Sequence, residues 1–177
     1  MRHNERPNTV SVTLLEDRYF PGAFLTPAWE LLRVTGARGE EVQVSPRSAR
    51  ALERSGAAIR VNTAKMGTAQ RRLLLTIYGL TLVEEALPIL LLRPRYQGTR
   101  IPWSTARVTN RDDPAARSAV SQALSALERR GLVLRYPIGS NRTQEVELTQ
   151  AGRRVAKELE AARARRRAVT GNPKQES

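Results

Sequence analysis

Arg117, Ser118, Ser121, Gln122, Ser125 and Arg129 recur at the spacing that gathers side chains on one side of a helix. Their shared chemistry is hydrogen bonding to flat polar edges. A glutamine amide offers an acceptor and a donor pair that match adenine, and a serine hydroxyl serves several bases. Arginine suits bidentate contacts to phosphate and guanine. Val120, Ala123, Leu124 and Leu127 make an apolar stripe on the opposite side, and Gly131 then stops the helix before Leu132 and Val133. A helix with one core face and one face of small polar groups fits a DNA major groove; the same periodicity also describes a plain amphipathic surface helix.

The elements around this run must position it. Asp113-Pro114 is a cap followed by proline at the first helical position, so the helix is expected over about 114–130. Pro102-Trp103-Ser104 opens a short helix to about Asn110, the first half of a helix-turn-helix. Val133 to Tyr136 reads as a strand, Pro137 to Arg142 as a turn and Thr143 to Leu148 as an alternating return strand. Thr149 then caps a helix from Gln150 to about Arg167.

Helix, glycine stop, hairpin and helix follow in the order of a winged helix. The words S-x-V-S-x-x-L-x-x-L-E (Ser118 to Glu128), then Gly131-Leu132-Val133 and V-x-L-T-x-x-G-R (Val146 to Arg153), resemble the MarR-type winged helix-turn-helix transcription regulators over about residues 115–160. The resemblance implies a recognition helix carrying Arg117, Ser118, Ser121, Gln122, Ser125 and Arg129, and a wing carrying Arg135, Asn141 and Arg142. It also implies a homodimer on double-stranded DNA, with residues 68–92 and the last helix as candidate contacts. The MarR-type wing carries an Asp-Arg pair near its tip; here Ser140-Asn141-Arg142 keeps the arginine without the aspartate that would orient it.

Residues 1–61 depart from that pattern. Strands are expected at 10–15, 41–44 and 58–61, a strand or short helix at 28–34, and a helix over 47–54 introduced by Ser45-Pro46. The division expected is a small αβ unit over 1–61, a winged-helix domain over 68–165 and a basic frayed tail over 166–177. Residues 68–92 form the most apolar segment, but Glu84-Glu85 and Pro88 interrupt it, which argues against a membrane span. Buried helix is expected there, broken near Gly79 because Thr81-Leu82-Val83-Glu84 fits a capping box. The fold class expected is therefore α+β.

Composition narrows the chemistry. The 177 residues contain no cysteine and one histidine, His3, so thiolate, triad and Cys-based zinc chemistry have no residues to run on. Neither G-x-x-x-x-G-K nor G-x-G-x-x-G occurs, and the carboxylate pairs Asp112-Asp113 and Glu84-Glu85 are adjacent and diverge on a helix. No enzyme, cofactor or metal is expected. The polar N-terminus lacks the apolar stretch of a signal peptide, and with the absence of cysteine this fits the cytoplasm. The net charge of +13 is uneven: residues 1–92 carry 12 basic against 9 acidic residues, a net +3, and residues 93–177 carry 18 against 8, a net +10. The excess falls on the half with the polar helix, which points to a polyanion. The function expected is sequence-specific DNA binding in transcription regulation. The competing expectation is a winged-helix scaffold for a protein partner in polymerase, replication or phage assembly, engaged through residues 1–61.

Overall fold

The computed structural model describes residues 9–18, 34, 36–86, 99–109, 113–137 and 143–170. The chain is α+β: among the described residues, two three-stranded antiparallel sheets are combined with five helices. The first sheet contains β1 (Val10–Leu14), β2 (Glu41–Val44) and β3 (Ala58–Arg60), with β1 in the centre. Val12 pairs with Val42 on one side and Arg60 on the other. Helix α1 (Pro46–Arg54) crosses between β2 and β3; the Ser45 hydroxyl caps it by accepting from the Ser48 amide, and Pro46 takes its first position. Val12, Leu14, Val44, Ala49, Leu52, Ala57 and Ala58 form a small core of their own.

Helix α2 (Thr68–Glu85) opens the second unit. It runs unbroken through Gly79, contrary to the expected break. The Thr81 hydroxyl, expected to cap a new helix, is buried and donates back to the Ile77 carbonyl, while Glu84 pairs with Arg107. Burial of Leu73, Leu74, Ile77, Tyr78 and Thr81 along one side holds the helix together across the glycine. A short strand β4 (Arg100–Pro102) stands where only a connector and a helix start were expected, because Ile101 pairs with Val146 and buries its side chain. Helix α3 (Thr105–Thr109) follows, with the Ser104 hydroxyl accepting from the Arg107 amide.

Helix α4 (Pro114–Arg129) leads into the antiparallel pair β5 (Val133–Pro137) and β6 (Thr143–Leu148), and α5 (Gln150–Thr170) ends the described chain. The second sheet has the order β4-β6-β5. The core of this unit gathers α2, α4, the inner face of the sheet and the first turns of α5 through Leu74, Ile77, Leu124, Leu127, Val146 and Val155. Gly152 sits where a Cβ would collide with the Leu132 carbonyl, so this glycine allows α5 to lie against the start of β5. Except for Val34, the stretch 28–34 lies outside the described residues, as do the turn residues 138–142 and the tail 171–177.

The two units meet through backbone and buried hydroxyl groups. The Thr13 hydroxyl donates to the Gly131 carbonyl at 2.8 Å, and the Gln150 amide donates to the Gly39 carbonyl at 2.9 Å. Arg154 pairs with Glu41 at 3.0 Å, and the Gln150 side chain accepts from the Glu41 amide. Of the connector residues, Met66 is buried in the second core and Val61 packs against it.

Candidate nucleic-acid interface

Helix α4 is built from both of its ends. Asp113, extended at φ −80° and ψ 160°, accepts from the Ala116 amide at 2.8 Å, and Pro114 supplies a first position that needs no donor. At the far end Gly131 adopts φ +69°, a left-handed conformation that turns the chain toward β5. Val120, Ala123, Leu124 and Leu127 are buried, which fixes the rotation of the helix about its axis.

That rotation decides where the polar residues go. Arg117, Ser118, Ser121, Gln122 and Arg129 are exposed and Ser125 is half-buried. At 3.6 residues per turn these six span an arc of roughly 140°, centred away from the buried stripe and bordering it at Arg117. Gln122 and Ser118 are one turn apart, with the amide nitrogen 3.4 Å from the hydroxyl oxygen. The arc therefore presents donors and acceptors flanked by a cation at each end. A groove of about 660 Å³ lies along the other flank of the helix, lined by Arg72, Leu73 and Thr76 of α2, Val108 of α3, and Ala119 and Val120 of α4.

Arg135 is drawn into a different arrangement from the other site residues. It turns back onto α4 and pairs with Glu128, its Nε donating at 2.7 Å and a second guanidinium nitrogen closing a fork on the same carboxylate. Glu128 was not singled out in the sequence. It lies beside the polar arc, and the guanidinium offsets its negative charge there. Asn141 and Arg142 lie outside the described residues.

Two further clusters hold the surroundings. Arg130 donates to the carbonyls of Asn62, Ala64 and Lys65 at 3.3, 2.9 and 3.4 Å, clamping the connector to the end of α4. On the outer face of the second sheet, Arg100 lies 4.0 Å and Arg38 4.5 Å from the ring centre of Tyr136. The Tyr136 hydroxyl donates to Glu147 at 2.6 Å. Burial, followed by the hydrogen bond to Glu147 and that carboxylate's charge, pushes the phenol up to about 12, against the pull of Arg38 and Arg100. No sequence pattern marked either cluster, because each joins residues from distant parts of the chain.

At the surface behind the sheet, Glu85 accepts from Thr99 and pairs with Arg153 at 2.5 Å. Burial pushes its carboxyl upward, but the hydrogen bonds and the positive charge of Arg153 more than offset this and hold it below the ordinary value. Among the described residues no group of three or more acidic, histidine or cysteine side chains converges as a metal site would require, and no helix is long and apolar enough to cross a membrane. No protein-family model, curated protein or solved structure matches the chain.

Proposed function

We propose that the protein is a sequence-specific, double-stranded DNA-binding regulator of transcription, acting in the cytoplasm without a cofactor. In this reading α3 and α4 form a helix-turn-helix and the β5–β6 hairpin is the wing of a winged helix. The observation that carries it is the polar arc of α4: five of its six side chains are exposed, on an arc centred away from the buried stripe. Ser118, Ser121, Gln122 and Ser125 read base edges, with Gln122 on adenine. Arg117 grips a guanine or phosphate, and Arg129 a phosphate. Arg135 acts through Glu128, neutralising the carboxylate that would repel the DNA backbone. Asn141 and Arg142 keep the wing contacts that the resemblance implies. The net +10 over residues 93–177 supplies the sequence-independent attraction.

Selection of bound duplexes from a random pool tests this reading. Enrichment of one motif, with binding to it lost in Gln122→Ala, is the expected result. Salt-sensitive binding with no enriched motif overturns it.

A further inference from the structure

The N-terminal unit carries a row of arginines that the polar arc of α4 does not include. On α1, Ser48, Ala49 and Leu52 are buried, whereas Arg47, Arg50 and Arg54 are exposed. At 3.6 residues per turn the three arginines fall within an arc of roughly 60°, opposite the buried side, and extend over about 10 Å of the helix axis. None of them has an ion-pair partner among the described residues; the Arg54 side chain donates to the Arg50 carbonyl at 3.3 Å. Glu53, the acidic residue of α1, is already paired with Arg60 of β3 at 2.9 Å. The row adjoins the end of α4. The Asn62 amide, just after β3, donates to the Arg130 carbonyl at 3.1 Å, which seats this edge of the unit beside Arg129, the last residue of the polar arc. A cleft of about 430 Å³ lies at the junction, lined by Glu53, Arg60 and Asn62 from the N-terminal side and by Arg129 from α4.

We propose that α1 is a second foothold on the duplex: Arg47, Arg50 and Arg54 neutralise backbone phosphates beyond the stretch that α4 reads, and the cleft at Arg129 joins the two contacts. This rests on the reading that the protein binds double-stranded DNA, and it gives the N-terminal unit a part in that binding. Duplex DNA has one negative charge per about 1.7 Å of axis, so a row about 10 Å long faces several phosphates. The guanidinium fork matches phosphate oxygens, and its charge strengthens each hydrogen bond. Contacts of this kind hold the protein in place on the duplex without reading its sequence. The cleft follows the pattern of the polar arc: Arg60 neutralises Glu53 there as Arg135 neutralises Glu128 on α4, so neither carboxylate faces the DNA unpaired. A protein partner fits the row less well. Protein interfaces centre on apolar and aromatic side chains, and this side of α1 has none; the exposed large apolar side chains of the described residues, Leu82 and Val83, lie on α2.

Salt titrations of the full chain on a random-sequence duplex test the foothold, because it is blind to sequence. The double variant Arg50→Gln/Arg54→Gln should keep its thermal melt, since both side chains are exposed. It should flatten the slope of log affinity against log salt by about 1.8, so the advantage of the wild type shrinks about tenfold between about 50 and 200 mM salt. Bound duplex should also slow the modification of Arg50 and Arg54 by phenylglyoxal, read by peptide mass. With α4 intact, selection from a random pool should return the same motif for the double variant as for the wild type. Equal slopes for the two proteins, or undiminished modification in the complex, overturn the foothold even where a motif is enriched. A slope difference and protection with no enriched motif support the foothold and overturn the sequence-specific reading instead. A wild type that leaves the random duplex unbound at about 50 mM salt overturns the foothold.

Discussion

Gln122 and Leu124 stand two residues apart on α4 and meet different surroundings, one exposed and the other 2% exposed. Gln122→Ala should cost about 1–3 kcal/mol of binding on the preferred duplex and little on random DNA. Leu124→Ala should leave binding chemistry intact but lower stability by about 2–5 kcal/mol through the cavity it opens. Binding titrations on preferred and scrambled duplexes, beside urea melts, separate the two; a Gln122→Ala variant that melts early and binds normally when folded would reverse the assignment of faces. This division was legible in the sequence because a 3.6-residue period assigns each side chain a direction before any partner is known. The caps were legible for the same local reason: Ser45-Pro46 and Asp113-Pro114 do in the structure what their spacing predicts. Arg135 was not legible. Its partner Glu128 lies seven positions away across the turn at Gly131, and only the folded turn brings them together.

At the scale of elements, local rules misled where burial outweighed them. The capping pattern at Thr81 was real as a pattern, yet the continuous buried side of α2 favoured an uninterrupted helix over a new start. Strand β4 is three residues long, too short for alternation to reveal, and exists because β6 offers it an edge. The hairpin β5–β6 was readable from alternation and turn residues, but the contact of its outer face with Arg38 was not. Burial of the Tyr136 ring and its hydrogen bond to Glu147 have a measurable consequence, which the nearby Arg38 and Arg100 oppose. Tyr136 ionises near 12 in the folded protein and near 10.0 when unfolded. The folded state therefore keeps a proton that the unfolded chain has lost. The stabilisation is fully present below pH 10.0 and is lost as pH rises to about 12. Denaturant melts over this range should show stability falling with pH, and Tyr136→Phe should fall less steeply. Parallel slopes for the two proteins would exclude Tyr136 as the source.

For the molecule as a whole, charge and connection set the expectations. Each phosphate neutralised should contribute about −0.9 to the slope of log affinity against log salt, and Arg129→Ala should flatten that slope by about one while weakening all sequences alike. An unchanged slope removes Arg129 from the phosphate contacts. The Arg130 clamp on the carbonyls of Asn62, Ala64 and Lys65 should make the connector resistant to proteolysis despite its exposed side chains. Trypsin should cleave after Lys65 faster in Arg130→Ala than in the wild type, read by peptide mass; equal rates would show that the clamp does not guard the connector. The Gly131 carbonyl concentrates this long-range dependence, since it accepts from Thr13 and from Thr149 at 2.8 Å each, both hydroxyls being buried. Thr13 lies 118 residues before its acceptor. On a ribosome adding about 5–20 residues per second, Thr13 emerges roughly 6–24 s before the carbonyl that its hydroxyl bonds. Throughout that interval β1 holds a hydroxyl with no acceptor in place, and the surface that later meets α4 and α5 stays open to water and to chaperones. The first sheet is thus made before the elements that complete its contacts, and its final fold waits on the synthesis of α4 and the first turns of α5.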